Sequence, residues 1–142
     1  MLQGNNCVLE LGFATLRNGL IPIDQVQRAK EFGDWIRSCY GVPIAAMVGN
    51  GTRLHLSLPS GTLVDRVVIQ EDIALGQRVR AYTVEASAGG VWTTFSQGTS
   101  IGHKRIDVRK PANISALRLT IVAAAGPPVI ARFGAFYPCP TG

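Results

Sequence analysis

Cysteine, histidine and tryptophan are all scarce in this chain of 142 residues, which holds three Cys, two His and two Trp. Cys7, Cys39 and Cys139 lie far apart and none has the C-x-x-C spacing of a metal or redox pair, so no zinc site and no cofactor is expected. Three thiols permit at most one internal disulfide, and its partners stay open. His55 and His103 are the only histidines, and no serine stands in a nucleophile-elbow context, so a Ser-His-Asp arrangement fails. No hydrophobic run is long enough to span a membrane. Met1 to Asn6 lacks the basic start and apolar stretch of a signal peptide, which points to a piece of a longer precursor if the parent is secreted.

Acids are outnumbered: the formal net charge is +5, and the chain has eleven Arg against three Lys. Arg78, Arg80, Lys104, Arg105, Arg109 and Lys110 fall in one third of the chain. Such a patch steers phosphates or acidic glycans, but exposed aromatics do not interleave with the cations, so no nucleic-acid partner is expected. Outward positions on neighbouring strands account for these charges. Two sequons, Asn50-Gly-Thr52 and Asn113-Ile-Ser115, sit in expected loops and mark Asn50 and Asn113 as candidate N-glycosylation sites, a tilt towards secretion.

What is present is periodic. Cys7 to Leu11 is apolar almost throughout and reads as a short buried strand. After the turn at Gly19 to Pro22, Asp24 is placed to cap a helix, with Gln27 completing a capping box. Val26, Ala29, Phe32, Ile36 and Cys39 give that helix one apolar face as far as Tyr40, and Gly41 and Pro43 end it. From Arg53 the period changes towards 2. Leu54 to Leu58 reads as the first strand of a β-sandwich. Further strands are expected at 64–70, 79–86, 91–95, 100–108, 116–123 and 129–137, separated by Gly, Pro and Asn turn formers. The expected division is 1–41 as strand, loop and helix, 42–52 as a linker and 53–142 as a jelly-roll-like sandwich, within reach of a single core for a chain of this length.

Several stretches in this order resemble the carboxyl end of the α-L-fucosidases, a glycoside hydrolase family: Gly4-Asn-Asn6 with Val8 to Leu11, Gly19 to Pro22, Glu31 to Ile36, Val67 to Glu71, Gly76-Gln-Arg78 and Ile101 to Ile106. The resemblance implies a galactose-binding-like sandwich preceded by the last strand and helix of a catalytic barrel, with extracellular, apoplastic, lysosomal or vacuolar location. The barrel of the same parent chain, or a partner protein, would then cover residues 1–41. It also implies that both catalytic carboxylates lie upstream. A retaining glycosidase needs two carboxylates roughly 5 Å apart, and no pair among the nine acids here qualifies: Glu31 and Asp34 lie on a helix surface, while Glu71 and Asp72 are neighbours facing opposite ways. The chain alone is therefore expected to be an accessory region and not an enzyme.

Two other readings compete, a stand-alone lectin-like module and a structural subunit that kept the sandwich and lost the enzyme. For carbohydrate, fucosylated glycans included, the candidate residues are Glu71, Asp72, Gln77, Arg78, His103 and Arg105, on one loop with its flanks and on one neighbouring strand. Arg105-Ile-Asp107 resembles the Arg-x-Asp of fucose lectins, but the residue upstream, where those lectins have a His, is Arg78. Trp92 and Phe95 read as core, and Trp35 as a domain-packing residue.

Overall fold

The computed structural model describes residues 9–74 and 76–140. One helix, α1 (Ile23–Tyr40), precedes six strands: β1 (Ala45–Asn50), β2 (Arg53–Glu71), β3 (Val79–Ala88), β4 (Val91–Gly98), β5 (Arg105–Ala124) and β6 (Val129–Phe136). All strand pairs are antiparallel, in the order β1-β6-β2-β5-β3-β4.

Two strands are long enough to serve both layers of a sandwich. The first part of β2, Arg53 to Ser57, pairs with Thr120 to Ala116 of β5, and that part of β5 pairs onward with β3. The last part of β2, Arg66 to Glu71, pairs with β6 on one side, and its Arg66 to Ile69 with Val108 to Arg105 of β5 on the other. Between Ser57 and Thr62 the register shifts and the sheet turns over on itself. One layer is thus β1, β6 and the inner ends of β2 and β5; the other is their opposite ends with β3 and β4. Leu54, Leu56, Val84, Leu117 and Leu119 of one layer meet Val67, Ile69, Ile130 and Phe133 of the other in a common core. Alternation of apolar with polar positions along each strand is what permits a dry interior between two wet faces.

That alternation changes phase once, at a bulge. Leu54, Leu56, Leu58 and Val64 face the core, and so do Val67 and Ile69, two sets of opposite parity. The register shift between Val64 and Arg66 inserts the extra residue that flips the strand. As a result Val68 and Arg66 belong to the outer face, where α1 is attached.

Four sequence expectations change. Residues 45–50, inside the expected linker, form edge strand β1 on β6; small side chains together with Gly49 and Asn50 hide its strand character. The expected strands 53–58 and 64–70 merge into β2, and 116–123 joins 105–108 as β5, leaving 100–104 as loop. The helix starts at Ile23, with Pro22 at the N-cap and no side-chain cap; Asp24 lies in the first turn, and the Gln27 amide donates to Glu31 instead of closing a capping box. Asp24 still faces the positive end of the helix dipole. Of the expected strand 7–11, residues 7 and 8 lie outside the described residues, while Leu9, Glu10 and Leu11 are exposed and belong to no strand; a lone strand without a pairing partner is not stable in water. At the other end Gly41 donates its N–H to the Arg37 carbonyl at 2.8 Å, and a Cβ there would stand 2.4 Å from that oxygen.

Candidate functional site

The last turn of α1 is fastened to the outer face of the β6-β2-β5 layer. Cys39 and Tyr40 pack with Val68, Ile106 and Phe136, with Ile36 and Cys139 at the margin. A disulfide joins Cys39 to Cys139, so that the chain beyond β6 returns to the helix. The Tyr40 ring lies 6.2 Å from the Phe136 ring, 5.4 Å from the Arg66 guanidinium and 5.7 Å from the Lys104 ammonium. Arg66 is itself buried and is held by both Asp65 oxygens at 2.6 Å each, and a further N–H reaches the Cys139 sulfur. The Asp65 hydrogen bonds hold the guanidinium firmly protonated, and a paired buried charge escapes the cost of desolvation without compensation.

Beyond that attachment the apolar stripe of α1 stays accessible among the described residues. Val26, Phe32 and Trp35 are exposed, as are Leu9, Leu11 and Phe13 ahead of the helix. Leu9, Leu11, Phe13, Phe32 and Trp35, together with Ala29 and Tyr40, line a groove of about 820 Å³. Trp35 stacks near Phe32 at 6.3 Å and meets Tyr40 edge-on at 6.4 Å, both partners lying in α1 itself. Patches of this kind on a folded protein mark contact surfaces.

The six candidate carbohydrate residues lie around one end of the sandwich, but the structure engages most of them internally. Glu71 is buried; one carboxylate oxygen accepts the N–H groups of Arg78 at 2.6 Å and Val79 at 3.0 Å, and the other accepts that of Gly102 at 3.4 Å. It ties three chain segments together. Asp72 accepts the Ala74 N–H in a local turn, and the Arg78 guanidinium donates to the Pro127 carbonyl at 2.7 Å. Gln77 is exposed and its carbonyl accepts from Arg80; His103 is exposed and its carbonyl accepts from Gln70 at 3.4 Å.

Arg105 belongs to a second group. It donates to Asp107 at 2.7 Å, and the other Asp107 oxygen accepts the Tyr82 hydroxyl at 2.7 Å and the Ser96 hydroxyl at 2.8 Å. The Arg-x-Asp pair is therefore a bridge between the two layers. Burial pushes the Tyr82 phenol far above its usual range, and the bond to Asp107 adds to the rise. Of the sequons, Asn50 is exposed at the end of β1, and Asn113 is exposed within β5 opposite Leu63, a strand position where a loop is expected.

Trp92 is not core. Phe95 is buried inside, but Trp92 is half-buried on the outer face of the β2-β5-β3-β4 layer, 4.4 Å from the Arg118 guanidinium and edge-on to His55 at 5.7 Å. A spacing of three residues already points the two rings to opposite faces of a strand. Arg118 in turn meets Glu85 at 2.8 Å and holds its carboxyl below the usual carboxylate range. Neither this cluster nor the one around Tyr40 was legible as a unit, because each is assembled by strand register. Among the described residues no group of three or more His, Cys, Asp or Glu could hold a metal, and no helix is long and apolar enough to cross a membrane.

Comparison with known proteins completes the picture. No protein-family model matches the chain. A curated rice protein (Oryza sativa subsp. japonica) described as an alpha-L-fucosidase is 37% identical over 70 residues, which are 49% of this chain and 14% of the rice protein. The crystal structure of a protein described as an alpha-L-fucosidase from Bacteroides thetaiotaomicron superposes with a TM-score of 0.92 at 40% identity, over 95% of this chain and 31% of the other. A glycoside hydrolase 29 family member from an unknown rumen bacterium gives 0.84 at 29%, over 98% and 27%. The chain thus spans about a third or less of the relatives it matches.

Proposed function

We propose that this chain, which matches a segment of the α-L-fucosidase family in sequence and in fold, is the non-catalytic carboxyl-terminal region of such a glycosidase. Residues 1–41 would contribute the end of the barrel, and the sandwich, of the galactose-binding-like type that the resemblance implies, would brace it. The observation that carries this reading is the apolar face of α1. Val26, Phe32 and Trp35 are left open on a helix whose last turn is locked to the sandwich by Cys39, Tyr40 and Asp65-Arg66. A barrel seated on that stripe would be held rigidly to the sandwich.

The acids support the same reading. Asp34, Asp65, Glu85 and Asp107 are each taken up in an ion pair, and Glu71 by backbone N–H groups, so each has a structural partner within this segment. The test is the native polypeptide, captured from its source with an antibody to this segment and both weighed by mass spectrometry and assayed on a chromogenic α-L-fucoside. A chain roughly 250 residues heavier, the size of a barrel, with fucosidase activity, is expected. A native chain of only these 142 residues, or hydrolysis by the isolated segment, would overturn the proposal.

A further inference from the structure

The outer face of the β2-β5-β3-β4 layer carries an arrangement that neither the fold nor the proposed bracing role requires. Register places His55 of β2, Arg118 of β5, Glu85 of β3 and Thr94 of β4 in one row across the sheet. In the next row, Ser57, Ala116 and Ser87 are small, and Trp92 stands at its β4 end. The indole reaches back over those small residues far enough to meet both Arg118, two strands away, and His55, three strands away. The result is an indole with a guanidinium over its ring on the outer face of the sheet, and that guanidinium is paired with Glu85.

We infer that this stack is a glycan-binding platform for a pyranose ring. A sugar is amphipathic: one face presents C–H groups that lie against an aromatic plane, and its rim presents hydroxyls that both donate and accept. Here a plane is provided by Trp92 with Arg118, and donors and acceptors stand side by side in Arg118, Glu85, His55 and Thr94. The Arg118 guanidinium is matched by Glu85, Arg53 acts on the same carboxylate, and Arg109 donates to the Thr94 carbonyl. Stacking on the fixed planar pair costs little side-chain entropy, since both groups are already ordered.

The platform also lies on the right side of the molecule. α1 attaches to the outer face of the other layer, and its apolar groove lies along the helix. It is distinct from the loops around Glu71 and Arg78, whose polar groups are engaged internally. The inference stands apart from the bracing role, because it concerns the opposite face and is read in the isolated chain.

Tryptophan fluorescence of the 142-residue chain decides it, with 2′-fucosyllactose and cellohexaose as probes. The Trp35→Phe variant is used so that Trp92 is the remaining indole. Saturable change in emission at up to millimolar sugar with at least one probe is expected, and about tenfold weaker binding, read by calorimetry, in Trp92→Ala and in Arg118→Lys. Arg118→Lys keeps the charge opposite Glu85 and removes the planar partner, so it separates stacking from charge. A single cooperative melting transition in each would show that both variants fold. Binding that survives both substitutions, or no saturable binding to either probe by the folded parent, overturns the inference.

Discussion

Cys39 and Cys139 are 100 residues apart in the chain, and their Cα atoms stand 4.9 Å apart across a disulfide that closes almost the whole sandwich into one loop. On the chain-entropy argument a loop of that length is worth about 5 kcal/mol of stability. Replacing both cysteines by serine is expected to lower stability in urea by about that amount. It should also raise hydrogen exchange more in Ile23 to Tyr40 than in β2 and β5. Exchange that rises uniformly would show that the bond acts on the sandwich and not on the helix attachment.

Asp65→Asn tests the buried pair behind that attachment. Both side chains are nearly inaccessible, so losing the carboxylate leaves the Arg66 guanidinium buried beside the Tyr40 ring without its counter-charge. Destabilisation of about 3 kcal/mol is expected from chemical denaturation. Loss below about 1 kcal/mol would mean that solvent reaches Arg66.

Trp92→Ala and Phe133→Ala form a contrast between the two faces of the sheets. Phe133 is fully buried, and its removal should cost about 3 to 5 kcal/mol. Trp92 packs outside, and its loss should cost only about 1 kcal/mol, the scale of a cation–π contact. Equal costs in thermal denaturation would contradict the assignment of Trp92 to the outer face.

Tyr82→Phe probes the bridge between the layers. Without the hydroxyl, Asp107 loses one of its buried donors, at about 1 to 3 kcal/mol. The folded phenol titrates above its unfolded value of about 10. Its contribution is therefore whole below that pH and is lost as pH climbs towards the folded value. The stability gap between wild type and Tyr82→Phe should shrink above about pH 10, measured by denaturation at a series of alkaline pH values. A gap that stays constant there would mean that the phenol ionises no later in the fold.

Asn50 and Asn113 are both exposed, and expression through a eukaryotic secretory route is expected to place a glycan at each. Glycopeptide mass spectrometry reads the outcome. An unmodified Asn113 would reflect its position within β5, where the backbone is paired with Leu63.

Local geometry explains what could be read from the chain alone. The stripe from Val26 to Cys39 and the alternation at Leu54, Leu56 and Leu58 depend on helical and extended periods that each segment carries by itself. The helix, the sandwich class and the resemblance to α-L-fucosidases were all legible on that basis. Tertiary pairing decided the rest. Which cysteines join, which residue at the Asp65 bulge flips β2, and which backbone groups fill the Glu71 carboxylate depend on segments far apart in the chain. The same holds for Trp92, Arg118 and Glu85, three residues on three strands. Only the register of β3, β4 and β5 brings them within reach of each other, and register is set by the whole sheet.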